Sequence, residues 1–396
     1  MAVACLPVCC LQQAYPRWFR SVFEIPAHAE ANPWHPIKEC GCPRGVYIIS
    51  STLHVTDPFS DDRWEELAAR HPRASVFHQR GWLEALHRTY GYEPFIVTTT
   101  PPGERLRNGL VLCQVSSWLT GNRLVSLPFA DHCDPLLNDP SDYLQFTEWL
   151  VQERLRRRYK YVELRPLQIV PESRNPFSQD HSYYFHELDL TPGLEQLFRR
   201  LHKDSIQRRI RRAEKAQLSY ERGWSHQLMN DFYCLLSMTR RRHHLPPQPR
   251  TWFRNLFECM GDRVQIRLVR NGGTAIAAML TLHIKNSVVY KYGCSDERHH
   301  SIGGMPFLFW KLIEESKAAG AERLDFGRSD MANTGLVAFK DKFGTSRRTL
   351  TYHRHPGSAN PKASVKWDTQ ASKLLFSMLP NALLSTAGRA LYRHMG

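Results

Sequence analysis

Arg323-Leu324-Asp325-Phe326-Gly327-Arg328 is a short apolar run with one acid inside it and an arginine after it. Tyr161-Val162-Glu163-Leu164-Arg165 in the first half of the chain has the same make-up. Each run reads as a strand, and each follows a long helical pattern: Ser141–Arg158 in the first half, and Pro306–Ala319, stopped by Gly320, in the second. Upstream of each helix lie three strand-like runs. In the first half these are Pro94–Thr99, Asn108–Trp118 and Arg123–Leu127, punctuated by Pro101-Pro102-Gly103 and Gly121-Asn122. In the second half they are Val264–Val269, Ala275–Ile284 and Val288–Cys294, with Lys285-Asn286-Ser287 as a hairpin turn. Helices come before the strands in both halves. Arg63–Arg70, which Asp61 and Asp62 can cap, and Arg80–Tyr90, with Trp82, Leu83, Leu86 and Tyr90 at helical spacing, open the first half. A helix face of Leu194, Leu197, Phe198 and Leu201, continued by Ile206, Ile210 and Ala213, opens the second; helices over Leu228–Arg242 and Trp252–Met260 follow. The order therefore repeats as a whole unit, not as a solenoid period. The expected joint is Leu188–Pro192.

The 396 residues suit two or three domains, and 42% hydrophobic content is enough for a sizeable core. No apolar run reaches the roughly 18 residues of a membrane span. The net charge of +15 either serves solubility or meets an anionic partner: nucleic acid, a phosphorylated ligand or an anionic membrane. Cys40-Gly-Cys42 lacks zinc-knuckle spacing, and the other cysteines are scattered, as expected of free thiols in a reducing compartment. No metal site is expected. Residues 1–52, rich in Pro and Cys without sustained periodicity, read as a poorly structured extension.

Several segments have a more specific look. They are Leu127-Pro128-Phe129-Ala130-Asp131-His132 after a strand, Arg208-Arg209-Ile210-Arg211-Arg212-Ala213 on a helix, Tyr290-Lys291-Tyr292-Gly293-Cys294-Ser295 and Asp325-Phe326-Gly327-Arg328-Ser329 at strand ends, and Gly335-Leu336-Val337-Ala338-Phe339-Lys340-Asp341-Lys342-Phe343-Gly344 last. In order and spacing, over roughly residues 60–354, they resemble the FemAB-type branch of the GNAT (acyl-CoA N-acyltransferase) superfamily, including the acetyltransferase-like members of bacterial polysaccharide gene clusters. That resemblance implies a mixed α/β fold of two tandem GNAT-like domains, each a mostly antiparallel sheet flanked by helices. The expected division is 53–188 and 189–356, followed by a linker and C-terminal amphipathic helix over 357–396. It further implies transfer of an acyl or aminoacyl group to an amine, with acyl-CoA as donor, or aminoacyl-tRNA in the alternative. Thr191–Met260 is too short for the helical arm that many tRNA-using members carry.

Acyl transfer to an amine needs an unprotonated amine, a stabilised oxyanion and a donor held in line. The resemblance places a functional lysine at Lys340, whose ammonium can meet an oxyanion or a donor phosphate. Lys342, two residues on, points elsewhere on the helix, and both lysines also suit a plain basic surface. Asp325 can act as a base or orient one, and Arg328 can pair with it or bind an acceptor anion; a purely structural bridge is the competing account. Asp131 and His132 sit together in a loop, where an imidazole can serve as a general base. Tyr290, Tyr292 and Ser295 are substrate-side candidates, with simple alternation placing both tyrosines on one face. Arg298-His299-His300-Ser301-Ile302-Gly303-Gly304 opens a helix as a degenerate pyrophosphate loop, so Arg298, Gly303 and Gly304 are donor-binding candidates with Arg208 and Arg212; the glycines also fit an ordinary turn.

Arg199–Arg222 holds nine Lys or Arg against three acids, a density that suits coenzyme A phosphates, a tRNA backbone or a nucleotide- or lipid-linked sugar. In the tail, Leu374, Leu375, Met378, Leu379, Leu383, Leu384, Leu391 and Tyr392 form an apolar stripe with Lys373, Arg389 and Arg393 beside it. Such a helix lies on an anionic membrane or packs on the protein's own core. Three functions compete. One is a cytoplasmic N-acyltransferase, peripheral at the inner membrane face, that joins an anionic donor to an amine acceptor of a cell-envelope or polysaccharide precursor. A tRNA-dependent peptidyltransferase of peptidoglycan is the second, and a non-catalytic basic scaffold for RNA or membrane is the third.

Overall fold

The computed structural model describes residues 53–168, 175–357, 376 and 381–396. The expected extension over 1–52 and the start of the tail helix, Trp367 to Pro380 apart from Phe376, lie outside the described residues.

Twelve strands among the described residues form one mixed, mostly antiparallel sheet. In chain order they are β1 (His54–Thr56), β2 (Glu93–Thr98), β3 (Leu110–Val115), β4 (Arg123–Val125), β5 (Val162–Leu164), β6 (Ser178–Asp189), β7 (Ser219–Gly223), β8 (Val264–Asn271), β9 (Thr274–Ile284), β10 (Ser287–Ser295), β11 (Arg323–Asp330) and β12 (Ser346–His355). The helices are α1 (Arg63–Arg70), α2 (Arg80–Tyr90), α3 (Pro140–Arg157), α4 (Leu194–Arg200), α5 (Arg208–Lys215), α6 (His226–Arg242), α7 (Arg250–Met260), α8 (Gly304–Ala318), α9 (Thr334–Asp341) and α10 (Asn381–Tyr392). A turn of π-helix, Lys203–Gln207, joins α4 to α5.

The local reasons match the sequence patterns. Asp61, rather than Asp62, caps α1 by accepting the Arg63 N–H at 3.1 Å. Gly91, at φ 70°, ends α2 in the left-handed conformation that costs a glycine nothing. Ser225 caps α6 through the Leu228 N–H at 3.1 Å. β9 is buried without a break from Ile276 to Leu282, because helices cover both its faces. Ala278, Leu280 and Leu282 face the core under α2, α6 and α7, while Ile276, Ala277 and Met279 face the core under α4, α5 and α8. The first core spans both halves, with Trp82 of α2 edge-on to Trp252 of α7 at 5.2 Å. Each such fully buried side chain stabilises by roughly 1.5–3 kcal/mol.

Two strands that periodicity does not predict decide the topology. The sheet order is β1-β2-β3-β4-β5-β12-β6-β11-β10-β9-β8-β7. β6 therefore pairs with β11, at the end of the second half, and β12 returns to pair with β5, in the first half. β6 and β12 also pair with each other from Ser346↔Glu187 to Arg354↔Ser178. Their sequences are rich in His, Arg, Tyr and Ser and poor in aliphatic residues, so they carry no strong alternation.

Within the described residues, the tail packs on the protein. Leu384 and Tyr392 of α10 are buried, and the Tyr392 hydroxyl donates to the Pro246 carbonyl at 3.1 Å. Arg123 reaches the Gly396 carbonyl from Nε at 2.8 Å and the His394 carbonyl at 2.9 Å.

Candidate active site

β10 and β11 run parallel and stay paired only from Ser287↔Arg323 to Val289↔Asp325. Beyond that point they part, β10 staying with β9 and β11 with β6, and each carries an irregularity. β10 shifts register between Tyr290 and Tyr292, and β11 between Asp325 and Gly327. A bulge flips the alternation, which corrects the expectation that the two tyrosines share a face. Tyr290 packs on Phe309 at 4.7 Å under α8, whereas Tyr292 lies in the opposite core, accepting the Trp252 indole N–H at 2.9 Å.

A cleft of about 320 Å³ opens along the freed part of β10. Tyr290, Gly293 and Ser295 line it from β10, Gly304 and Pro306 from the start of α8, Arg209 and Arg242 from α5 and α6, and Leu336 and Phe339 from α9. The α8 N-terminus faces the cleft with backbone N–H groups, a setting that suits an anion. Gly303 is required sterically, since at φ 96° an added Cβ would stand 2.6 Å from the Arg209 carbonyl oxygen. Arg212 fixes the preceding loop by donating to the Ser301 carbonyl at 2.9 Å. Arg298 is tied to Asp296 at 2.6 Å, and Arg208 pairs with Asp204 on the surface at 2.6 Å. Ser295 bonds His300 through its hydroxyl at 2.8 Å.

Next to Tyr290 and Phe339 of the cleft lining, Lys291 and Lys340 belong to a charged cluster built by both halves. Lys291, on the β10 bulge, donates to Asp131 at 3.2 Å and sits over the Phe77 ring at 5.2 Å. Arg328 of β11 approaches the same carboxylate at 3.7 Å and donates to the Tyr352 hydroxyl at 2.7 Å. That hydroxyl donates in turn to the Asp131 backbone carbonyl at 2.6 Å. Tyr183 and Tyr352 flank the Arg328 guanidinium at 4.4 and 5.1 Å, and 34% of the side chain stays exposed. Lys340 of α9 is buried and donates to the Gly327 and Arg328 carbonyls, both at 3.0 Å. Gly327, at φ 71°, leaves the space into which the Asp131 carboxylate projects; an added Cβ would stand 2.8 Å from its Oδ2.

The electrostatics follow from this crowding. Burial would raise the Asp131 carboxyl, but Lys291, Arg328 and Lys340 more than offset it and hold the acid below its ordinary range. Burial lowers Lys291, and it lowers Lys340 to about 8 despite Asp131 and Asp325. His132 and Asp325 are enclosed beneath the cluster, with Nε2 donating to Oδ2 at 3.1 Å. Burial works against the imidazolium there, yet the Asp325 bond and charge raise His132 overall. The other Asp325 oxygen accepts the Gly327 N–H at 2.5 Å.

The site therefore gathers Lys340, Asp325, His132, Asp131 and Arg328 from the sequence candidates, with Tyr290, Ser295 and Gly304 on the cleft. Lys342 stands apart, giving its backbone carbonyl to the His202 N–H at 2.9 Å. Lys291 and Tyr352 are members that the sequence reading assigns no role. For Lys291 the available signal is a lysine between two tyrosines in a core strand; Tyr352 has none. Among the described residues no group of His, Cys, Asp and Glu is arranged to hold a metal ion.

Residues 200–341 match the family model of the acetyltransferase (GNAT) domain. The fold is similar to the crystal structure of FemX, with TM-score 0.61 and 11% identity over 74% of this chain and 95% of that one. It is also similar to a conserved protein of unknown function from Bacteroides thetaiotaomicron VPI-5482, with TM-score 0.51 and 11% identity over 74% and 95%. By sequence, no curated protein matches significantly. At such identities the likeness to solved structures concerns the fold alone, and the GNAT acetyltransferase domain match belongs to residues 200–341.

Proposed function

We propose that this protein transfers an acyl group from a coenzyme A thioester to a primary amine of a cell-envelope or polysaccharide precursor, in the cytoplasm. The observation that carries this reading is the parting of β10 and β11, with a cleft of about 320 Å³ along β10 and the Asp131–Lys291–Arg328–Lys340 cluster next to Tyr290 and Phe339 of its lining. Donor phosphates fit the α8 N-terminus and the nearby Arg209 and Arg242. The acceptor nitrogen forms the new bond to the carbonyl carbon, the carbon–sulfur bond breaks, and the amine proton leaves with the thiol. The Asp131 carboxylate, kept ionised by its three cationic neighbours, orients the acceptor amine. Two Lys340 N–H groups are committed to the Gly327 and Arg328 carbonyls, so the ammonium has a third to offer the oxyanion. His132 and Asp325 are positioning residues that hold the turn at Gly327. Arg328, rigid between two tyrosines, is the anchor for an anionic group on the acceptor.

The test is thiol release by the full chain from a set of acyl-CoA thioesters, with amino sugars and amino acids as acceptors. Amine-dependent release is expected, and Lys340→Ala should lower kcat by about 10²–10³, the loss typical of one oxyanion donor. Wild-type turnover in a folded Lys340→Ala would remove the lysine from the mechanism. The basic α5 surface beside the cleft favours aminoacyl-tRNA as the second reading. Turnover from charged tRNA, with none from any thioester, would replace the first. Absence of both, with salt-sensitive binding to bulk RNA, would leave a non-catalytic scaffold.

A further inference from the structure

The largest exposed aromatic surface among the described residues lies far from the cleft along the sheet. The turn between β3 and β4 projects Trp118, which is 86% exposed, and Leu119, which is 43% exposed. The turn itself is rigid. The Ser117 hydroxyl accepts the Leu119 and Thr120 N–H groups at 3.2 and 2.9 Å, and the Gly121 N–H donates to the Ser117 carbonyl at 2.8 Å. The tail supports it from below: His394 bonds the Ser117 hydroxyl at 3.0 Å and meets the Trp118 ring edge-on at 5.5 Å. Two apolar side chains are therefore displayed at a fixed tip, where neither contributes to a core.

Three exposed basic side chains belong to the segments that carry and support this tip. Lys160, exposed, donates to the Thr120 carbonyl at 3.3 Å, and its backbone N–H bonds the Asn122 carbonyl at 2.8 Å. Arg158, exposed, ends α3 just before it. Arg393, also exposed, precedes the His394 that touches Trp118. The three contributing segments, Arg107–Ala130, Arg154–Val162 and Arg389–Gly396, contain no Asp or Glu at all.

We propose that this tip docks the protein on an anionic phospholipid bilayer, with Trp118 and Leu119 entering the interface and Lys160, Arg158 and Arg393 over the headgroups. An indole belongs at the headgroup level because it is apolar in body and polar at its N–H. Basic side chains near the surface add attraction that falls off within a Debye length. Nucleic acid suits the charge, but a rigid lone turn offers no groove to follow a backbone, and the adjacent leucine gains nothing there. The surface is distinct from the tail stripe, whose described residues Leu384 and Tyr392 are buried in the protein. It is also independent of the proposed chemistry.

The test is co-sedimentation of the full chain with vesicles of phosphatidylcholine alone and with a quarter phosphatidylglycerol. Binding is expected only to the anionic vesicles and should weaken as salt rises. The double variant Trp118→Ala/Leu119→Ala should bind at least ten times more weakly while keeping the wild-type melting temperature, because neither side chain is buried. Brominated lipid should quench tryptophan fluorescence in wild type, with much less quenching in Trp118→Phe. Failure of the wild type to bind anionic vesicles overturns the proposal. So does binding that the double variant retains in full, which would assign the contact to diffuse charge shared with RNA.

Discussion

The two parallel strand pairs of the sheet start alike and end differently. β4 and β5 pair at Leu124↔Val162 and Val125↔Glu163, and the chain then folds back to fill the gap between them. Ser126 donates to the Glu163 carbonyl at 2.8 Å, Arg165 donates to the Ser126 hydroxyl at 2.8 Å, and Cys133 donates to the Arg165 carbonyl at 2.7 Å. The Arg165 guanidinium holds the Leu127 carbonyl at 2.9 Å, which helps keep Leu127 and Phe129 in the left-handed region at φ 63° and 61°. β10 and β11, by contrast, part beyond Val289 and Asp325, and the freed part of β10 lines the cleft. The filled splay sends Asp131 into the open one. One half thus brings a carboxylate against Lys291 and Arg328 of the other.

The sharpest way to break this arrangement is at Gly327, where the two halves touch. Gly327→Val would add a branched side chain at φ 71° and press on the Asp131 carboxylate. Turnover should fall more than ~100-fold, and backbone strain alone should cost about 1–3 kcal/mol of stability in chemical denaturation. Normal turnover would show that Asp131 does not serve the second half. The charge state of Lys340 gives the next effect. With its pKa lowered to about 8, the ammonium is present below that pH and lost above it. The pH profile of kcat should therefore fall, by about tenfold per unit, beyond pH 8. A profile still rising at pH 9.5 would mean that the neutral amine is the working form.

Filling the open splay is a milder intervention. Leu336→Trp on the cleft wall should raise the donor KM by roughly tenfold with no loss of melting temperature, provided the donor lies there. The buried His132–Asp325 pair has its own signature. Its raised histidine pKa means that the stabilisation is fully present below about pH 6.5 and fades as the pH climbs through the folded value. The melting-temperature gap between wild type and Asp325→Asn should be wider at pH 6 than at pH 8.5; a gap independent of pH would remove the pair from the stability of the interface. Emptying the closed splay should matter least for activity. Ser126→Ala leaves the buried Arg165 N–H without its acceptor and should cost about 1–3 kcal/mol while sparing turnover.

Much of the layout was readable from local pattern. α1 and α2 lie where their apolar spacing predicts, and the three strands before α8 are displaced by a residue or two at most of their ends. Lys340 was reached through a motif, and its burial explains why a lysine there differs from Lys342. The tyrosines show the limit: alternation holds only while the ladder is regular, and the bulge at Lys291 sends Tyr290 and Tyr292 to opposite cores. Lys291 carries no strong signal of its place, because a charged residue in a strand usually marks a solvated face.

By itself, the sequence determined the elements, their repeated order and the basic character of the chain, since these depend on neighbours within a few residues. Only the tertiary structure decided that β6 and β12 cross between the halves, and that Asp131, Lys291, Arg328, Lys340 and Tyr352 meet at one splay. The reason is physical. Strand partnership across a sheet is fixed by long-range hydrogen bonding, and these polar, aromatic strands carry no period of their own.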